Sequence, residues 1–390
     1  MKSNWPLVKL EEVADLTVGF VGTMAKHYTP NGVTFLRSTN IDPFDISLDD
    51  IKYISPEFNE KLSKSQLRTG DVVIVRTGKP GACAVIPNIS GAWNCSDLVI
   101  VRPHAKKLDP LFLAAYINVA SGTINNQLVG AVQQHFNVAS AKRLEIPLPS
   151  IDVQRKISSL IGILNDKINL NNKINDNLQE QALAVFQQEL LRDRELPEGW
   201  RNGSLLDIAN YLNGLAMQKY RPSEGENGLP VLKIKELRQG SCDASSELCS
   251  PSIKPEYIIH DGDVVFSWSG SLLVDLWCGG TCGLNQHLFK VTSEKYPKWF
   301  YYAWTAHHLA RFVAIAADKA TTMGHIKREE LEKAEVAIPD AASMERIGGI
   351  LRPMYDLIIS NRIENRKLAA LRDTILPQLM SGEMDVSDLT

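Results

Sequence analysis

The sequence predicts an α+β protein that is internally duplicated, with two similar globular halves that are each followed by a long helix. Three observations predict this class. Five short segments recur in the same order about 190 residues apart, and a matched heptad helix follows them as the sixth match. The recurring β-branched segments read as short strands bounded by glycine, and each half ends in an apolar stripe with heptad spacing. The two helices are expected to pack as an antiparallel coiled coil, with a pseudo-two-fold relation between the halves.

The duplication is visible as ordered sequence matches that start at two tryptophans. From Trp5 and Trp200, WPLVKLEEVADLTVG aligns without a gap to WRNGSLLDIANYLNG. A single match of this kind would be chance similarity between β-rich segments, but several in one order indicate a repeat. The further matches are GVTFLRSTNI with GLPVLKIKEL, GDVVIVRTG (70–78) with GDVVFSWSG (262–270), HFN (135–137) with HIK (325–327), and Ile146-Pro147 with Ile338-Pro339.

Each half is predicted to combine short strands with one or two helices. The β-branched runs that lie between Gly-Asp and Gly are typical of strands that enter tight turns. Further strands are predicted at 96–103 and 286–292, and longer helical periodicity appears at 108–120 and 296–313. Asp71 and Asp263 precede strands and are interpreted as turn formers, not as catalytic acids.

The helix that ends each half carries a seam with alternating steps of four and three residues. The first helix is expected to begin after Pro149, with Ser150 or Asp152 as N-cap, and Pro197 and Pro377 are expected to end the two helices. The first seam is Ile157, Ile161, Leu164, Ile168, Asn171, Asn175, Leu178, Ala182 and Val185. The second is Ile347, Leu351, Met354, Ile358, Asn361, Asn365 and Leu368, followed after a phase slip by Leu371 and Ile375.

Asparagine occupies the same two seam positions in both helices. A seam asparagine reduces stability but fixes register and orientation. Antiparallel pairing would place Asn171 opposite Asn365 and Asn175 opposite Asn361. The alternative is that each stripe is the buried face of an ordinary amphipathic helix, but the sustained 3.5-residue period favours the coiled coil.

Composition limits the function classes. The net charge of −3 argues against a protein coated in positive charge, so a nucleic-acid footprint would have to be local. No apolar run is long enough to span a bilayer and the first residues lack a signal-peptide core, which predicts a cytoplasmic protein that binds no membrane. The six cysteines include no CxxC pair, so packed thiols are favoured over zinc.

The predicted helix length suggests a spacing device. From Ile157 to Val185 the helix would rise about 42 Å at roughly 1.5 Å per residue, comparable to the separation of about 34 Å between half-sites on DNA. The scaffold repeats while the loops diverge, as in Arg76-Thr77-Gly78-Lys79 against Trp268-Ser269-Gly270-Ser271. Divergent polar loops on a shared scaffold are what reading two different half-sites would require.

The candidate DNA-contacting residues are polar or aromatic side chains on these loops, each of which could equally be a solvated loop residue. In the first half they are Lys26, Tyr28, Arg37, Thr39, Asn40, Arg76, Thr77, Lys79, Gln133, Gln134 and His135. In the second half they are Lys219, Tyr220, Lys233, Lys235, Trp268, Ser269, Lys319, Thr321, Thr322, His325 and Lys327.

The chain resembles the specificity subunit of type I restriction–modification enzymes over nearly all of its length. The resemblance is carried by the two W-x(4)-L-x-x-(V/I)-A openings, the two GDVV segments, IPLPSIDVQRKI at the start of the first helix, LPEGW (196–200) and LRDTILPQLMSGEMDV (371–386). The second helix begins with IPDAASMERI, which lacks the Pro-rich form of the first, so docking at that end is less well supported.

The resemblance implies a domain plan and a set of partners. Target recognition domains would occupy 1–150 and 196–341, conserved helices 151–195 and 342–380, and a tail 381–390. The two domains would read a bipartite double-stranded DNA target, and the helices would set its unread spacer. The helices would also dock two methyltransferase subunits that bind S-adenosylmethionine and methylate adenine. Two restriction subunits, which use ATP and Mg²⁺, would join for restriction.

The chain itself is expected to have no catalytic residues, metal site or cofactor. It lacks the Asn/Asp-Pro-Pro-aromatic loop and the Gly-rich turn of an adenine methyltransferase, and it lacks a phosphate loop for ATP. Two other classes stay open at this point. One is a scaffold whose globular halves bind proteins and whose coil only dimerises, and the other is a nuclease with an unrecognised site.

Overall fold

The structure is a computed structural model that describes residues 5–128, 136–191, 195–318 and 326–386. It divides into two compact units. The first comprises Met1–Lys167 and Leu368–Thr390, and the second comprises Ile168–Lys367. Each unit therefore holds one globular half and a part of each long helix. No helix in the described ranges is long and apolar enough to cross a membrane.

The first half contains short strands and three helices, and it is followed by the first long helix. The strands are β1 (Leu7–Lys9), β2 (Ala14–Val18), β3 (Tyr28–Thr29), β4 (Val33–Leu36), β5 (Ile41–Asp42), β6 (Asp45–Ile46), β7 (Lys52–Ile54), β8 (Gln66–Leu67), β9 (Val72–Val75), β10 (Cys83–Val85), β11 (Trp93–Cys95), β12 (Leu98–Pro103) and β13 (Glu145–Pro147). The helices are α1 (Pro56–Lys61), α2 (Pro110–Leu128), α3 (Val138–Lys142) and the long α4 (Ile151–Leu190).

The second half is built from the same kinds of element, with fewer strands and more short helices in the described residues. Its strands are β14 (Arg201–Ser204), β15 (Asn210–Asn213), β16 (Leu229–Leu232), β17 (Leu248–Cys249), β18 (Ile258–Ile259), β19 (Val264–Ser267), β20 (Leu273–Leu276), β21 (Cys282–Leu284), β22 (Leu288–Thr292) and β23 (Glu335–Ile338). Its helices are α5 (Leu205–Ile208), α6 (Ile234–Gln239), α7 (Lys298–His307), α8 (Leu309–Asp318), α9 (Arg328–Glu332) and the long α10 (Ala341–Ser381).

The sheet topology confirms the predicted duplication. The central sheet has the order β10-β9-β12-β2 in the first half and β20-β19-β22-β15 in the second. A second sheet contains β7-β4-β11-β8 in one half and β17-β16-β21-β18 in the other, with a parallel pair, β4–β11 or β16–β21, at matching positions. The GDVV segments align in register, because Val72 pairs with Val101 as Val264 pairs with Val291.

The central strand β9 separates two hydrophobic cores in the first half. All four of its residues are buried, as expected for a strand covered on both faces. Val72 and Ile74 point into the core that contains Phe112 of α2 and the start of α4. The alternate residues face a smaller core built around β4, β11 and β12. The strand therefore fixes the loop that follows it from both sides.

The ends of the long helices differ from the prediction at one proline. α4 begins directly after Ser150, so Ser150, not Asp152, holds the N-cap position, and Pro197 lies beyond the helix. The prediction that Pro377 ends the second helix is wrong, because α10 continues to Ser381. A proline inside a helix removes one backbone hydrogen bond. Leu376, Leu379 and Met380 are all buried in the first unit's core, and this packing outweighs the loss.

The seam asparagines pair as predicted within the second unit. Asn171 Nδ2 donates to Asn365 Oδ1 at 2.8 Å, and Asn361 Nδ2 donates to Asn175 Oδ1 at 2.9 Å. These two bonds are possible only if the two helix segments run antiparallel in the predicted register. One seam assignment is wrong, since Leu371 is 49% exposed while Leu376 and Leu379 are buried.

Candidate nucleic-acid interface

The loop that follows β9 is held by ion pairing and hydrogen bonding to a single carboxylate. Arg76 Nη1 lies 2.8 Å from Asp97 Oδ1, and Thr77 Oγ1 donates to Asp97 Oδ2 at 2.8 Å. Asp97 has a positive φ of 54°, a conformation that aspartate tolerates better than most residues. The strained aspartate thus directs its carboxylate to the two residues that leave the strand.

Backbone hydrogen bonds bring further segments to the same place. The Asp97 amide donates to the carbonyl of Phe20, so the loop after β2 lies beside the turn before β12. The Phe136 amide donates to the Arg76 carbonyl, which brings the residues before α3 to the loop as well. Three segments that are far apart in sequence therefore converge at one end of the central sheet.

The second half builds the same convergence with other side chains. The Trp268 indole donates to Asn213 Oδ1 at 3.1 Å, and Ser269 Oγ lies 3.1 Å from His287 Nδ1. The Ile326 amide donates to the Trp268 carbonyl, as Phe136 does to Arg76 in the first half. The cluster of arginine, threonine and aspartate in the first half therefore corresponds to a cluster of tryptophan, serine and histidine in the second half.

The opposite end of each central strand is fixed by an aspartate, which is buried in the first half and partly buried in the second. Asp71 accepts the Arg68 amide and pairs with Arg102, and Asp263 accepts the His260 amide and pairs with Lys290. These amide contacts fit their predicted role as turn formers. Burial raises the pKa of the Asp71 carboxyl, while the Arg68 amide and the Arg102 guanidinium act to lower it.

The two supporting cations also hold equivalent backbone carbonyls. Arg102 donates to the carbonyl of Gln66 at 2.6 Å, and Lys290 donates to the carbonyl of Ile258 at 2.8 Å. Both carbonyls lie five residues before the aspartate. The same acceptors are therefore satisfied in the two halves by a different residue type at a different strand position.

Several predicted DNA-contacting cations are already paired within the protein. Lys79 lies 2.6 Å from Asp42, and Arg37 contacts Asp50 at 3.2 Å. In the second half, Lys233 pairs with Glu247, and Lys235 lies 3.6 Å from Asp243. Such pairs are exposed enough to exchange partners at small cost. They also explain how a chain with a net negative charge can carry a local set of cations.

Two predicted readers are buried and do not offer their side chains to a duplex in this structure. Asn40 is 1% exposed, and its amide group donates to the carbonyls of Ser47 and Asp49 while its oxygen accepts the Arg37 amide. Ser269 is 3% exposed. A sequence pattern shows that a residue is polar, but not that its hydrogen bonds are already satisfied inside the loop.

The remaining candidates divide into packed, exposed and undescribed residues. Tyr28 and Trp268 pack partly against hydrophobic cores. Thr39 and Tyr220 are exposed, and Lys26, Lys219 and Lys327 are exposed and form no ion pair with the described residues. The candidates Gln133, Gln134, His135, Lys319, Thr321, Thr322 and His325 lie outside the described residues.

Two residues at the loop clusters were not predicted from sequence, namely Asp97 and His287, which organise the two clusters. Away from these clusters, His27 was also not predicted; it is exposed and stacks on Phe58 with ring centroids 4.1 Å apart. A signal for the first two was present, because both residues directly precede the aligned strands β12 and β22. Within the described residues, no group of three or more His, Cys, Asp or Glu side chains could hold a metal ion.

Known proteins with similar sequences and folds agree with this architecture. The chain is 25% identical over 417 aligned residues to the type I restriction enzyme MjaIX specificity subunit of Methanocaldococcus jannaschii, an alignment that covers 99% of this chain and 95% of that protein. It is 19% identical to the type I restriction enzyme HindI specificity subunit of Haemophilus influenzae, covering 83% of this chain and 88% of that one.

A solved structure shares the fold. The crystal structure of the S subunit of a type I restriction–modification system from M. genitalium superimposes with a TM-score of 0.58 at 14% identity, covering 96% of both chains. The family model of the type I restriction modification DNA specificity domain matches twice, at residues 2–180 and 197–371. With two such domains spanning most of its length, this chain belongs to the type I restriction–modification specificity subunit family.

Proposed function

We propose that the two halves read the two parts of a bipartite double-stranded DNA target, and that the chain acts within a complex whose catalytic subunits are separate proteins. The observation that carries the proposal is the pair of equivalent loop clusters with unlike side chains. Arg76, Thr77 and Asp97 stand where the second half has Trp268, Ser269 and His287. One scaffold with two chemistries suits two different half-sites.

The two clusters present different hydrogen-bonding groups. Arginine donates two parallel bonds to guanine, and a carboxylate accepts from the cytosine amino group. Arg76 and Asp97 hold each other in the free protein, so a bound base pair would exchange with this ion pair. The second cluster offers an indole and an imidazole, which favour stacking and single hydrogen bonds. The two halves therefore favour different base edges.

The helices carry an exposed apolar row that suits docking of partner helices. In the second unit, Leu170, Ile350 and Leu357 are 53%, 39% and 45% exposed. Each directly precedes a buried seam residue, so each lies about 100° from the seam in the same rotational sense. In an antiparallel pair, the same sense on both helices means the same face. We infer that two methyltransferase subunits dock on this face through amphipathic helices.

Cofactors belong to the partners in this proposal. S-adenosylmethionine would be bound by the methyltransferase subunits, and ATP with Mg²⁺ by two restriction subunits that join for DNA cleavage. The chain would contribute recognition and geometry. The 40 residues of α4 correspond to a rise of about 60 Å at roughly 1.5 Å per residue. This length is sufficient to hold two readers over separate segments of one duplex.

The deciding experiment measures duplex binding and methylation by the chain in complex with its methyltransferase subunit. Methylome sequencing of cells with and without the gene would give the bipartite motif. Binding that weakens steeply with salt indicates phosphate contacts. Arg76→Gln should then relax the first half-site and leave the second unchanged, with Arg346→Gln on the exposed surface of α10 as the matched control.

Other outcomes would favour the alternatives. Salt-insensitive or absent duplex binding, with no methylation motif, would favour a protein-binding scaffold. Metal-dependent DNA cleavage by the isolated chain would indicate a nuclease. Equal loss at both half-sites in Arg76→Gln would contradict separate readers.

A further inference from the structure

The second long helix is attached to its recognition half by two arginines that are one turn apart. Arg366 forms a two-pronged ion pair with Asp261, with Nη1–Oδ1 and Nη2–Oδ2 distances of 2.8 Å and 2.7 Å. Arg366 also donates to the carbonyl of Cys278. The same carboxylate accepts the amide of Gly280 at 2.8 Å. One side chain of α10 thus joins the turn before β19 to the turn after β20.

The second arginine contacts the neighbouring strand. Arg362 Nη1 lies 2.7 Å from Asp275 Oδ1 and donates to the carbonyl of Leu276 at 3.2 Å, both on β20. The side chains of Arg362 and Asp275 are about three-quarters buried. Because Arg362 and Arg366 are four residues apart, they lie on one face of the helix. We call these two arginines and their two aspartates the helix clamp.

Among its described residues, the first half has no such clamp, although it shares the fold. The seam asparagines align Arg362 with Asn172 and Arg366 with Asp176, and the sheet register aligns Asp275 with Ala84 and Asp261 with Thr69. None of these four residues can reproduce the ion pairs. The first half contacts α4 through apolar packing of Phe112 with Ile157 and Ile161, and through hydrogen bonds of Gln154 and Ser158 to the segment 107–109, none of which is an ion pair.

We propose that Arg362 and Arg366 are positioning residues that fix the direction in which the second half faces, and thereby the spacer length at which the second half-site is read. This inference rests on the proposed function. Apolar burial is non-directional, so an apolar contact alone tolerates small rotations. A two-pronged guanidinium–carboxylate pair is directional, so it selects one orientation.

The clamp lies beside the hydrophobic core of the second unit. That core, which includes Trp299, Ile347 and Ile358, does not include the clamp residues. Losing the arginines leaves two largely buried carboxylates without their partners, which costs some stability, but it removes no apolar contact from the core. Removing the clamp should therefore leave the half folded and allow it to turn on its helix.

The test uses the complex of the full chain with its methyltransferase subunit. Methylation rates are measured on duplexes that carry both half-sites separated by the native spacer, or by a spacer one or two base pairs shorter or longer. The wild-type complex should favour one spacer length. The preference is the ratio of the methylation rate at the native spacer to the rate at the altered spacers. In the variant with both Arg362→Ala and Arg366→Ala this ratio should fall at least about tenfold, while each half-site keeps its base preference.

Two further variants separate geometry from general damage. Arg366→Lys keeps the charge but not the two-pronged geometry and should give an intermediate preference. The variant with both Asp261→Arg and Arg366→Asp exchanges the two charges. It should show a stronger spacer preference than the double alanine variant. Arg346→Ala, which removes the ion pair between Arg346 of α10 and Glu189 of α4, is the matched control and should change nothing.

Two results would overturn the inference. One is an unchanged spacer preference in the double alanine variant, and the other is an equal loss of methylation at every spacer length, which would indicate a merely structural role. Failure of the proposed function looks different, because the wild-type complex would then methylate no bipartite target.

Discussion

The pair of seam asparagines, Asn175 and Asn361, gives a quantitative prediction about the second unit. Their side chains are 4% and 7% exposed and share one hydrogen bond of 2.9 Å. Asn361→Leu removes the donor and leaves the Asn175 oxygen buried without it, at a cost of about 1–3 kcal/mol. Asn175→Leu likewise leaves the Asn361 amide group buried without its acceptor. Replacing both removes both polar groups and adds apolar contact, so the double variant should be as stable as the wild type or more so.

The assay is a double-mutant cycle with urea unfolding followed by circular dichroism. The coupling energy between the two sites should be on the order of 2 kcal/mol. Asn177→Leu, at an exposed position of α4 near Asn175, is the control and should change stability by less than about 0.5 kcal/mol. If the two single effects simply add, the buried hydrogen bond is not formed in solution, and the antiparallel register would have to be reconsidered.

Three further predictions concern the core, pH and DNA. Leu379→Ala, at a fully buried position after the helix-internal Pro377, should cost about 2–5 kcal/mol in urea unfolding, whereas Leu371→Ala at the exposed position should cost little. The Arg366 guanidinium lowers the pKa of Asp261, so this carboxylate adds stability above its ordinary unfolded pKa of about 4, and that stability is lost as the pH falls through the lowered folded value. Unfolding measured from neutral to acidic pH should therefore show a weaker acid loss in Asp261→Asn than in the wild type, and an equal loss would contradict the ion pair. Lys26→Ala should lower the slope of log affinity against log salt by about one, and an unchanged slope would place Lys26 away from the phosphates.

Patterns that repeat along the chain were readable from sequence. Spacing alone predicts the two GDVV strands, the antiparallel helix register and the pairing of four asparagines. The spacing of seam residues and the order of repeated segments are properties of the chain that the folded structure keeps. The structure confirms these features directly. The assignment of Leu371 to the seam failed where the period slips, since beyond a phase change the sequence offers two equivalent faces.

The roles of individual loop residues were harder to predict from the sequence. Asn40 and Arg37 look like base readers in sequence, yet their hydrogen bonds are used to close the loop between β4 and β7. Asp97 organises the first cluster, and its signal in the sequence was its place directly before the aligned strand β12 rather than a motif. Whether a polar side chain faces solvent or its own loop depends on partners distant in sequence, and spacing does not encode these. The prediction that Pro377 ends α10 failed for a related reason, because packing around this residue overrides the tendency of proline to end a helix.

The aspartates that precede the two central strands have a consequence for how such chains recombine. Asp71 and Asp263 come with one strand, and their cations, Arg102 and Lys290, come with another. Each cation-bearing strand brings its own positive charge, and each acceptor strand presents the same carboxylate and carbonyl. A genetic crossover between these strands, in either direction, still gives one cation for one carboxylate. The charge balance of the sheet is therefore kept when loop-bearing segments are exchanged, and new loop surfaces can be assembled without first re-evolving the sheet that supports them.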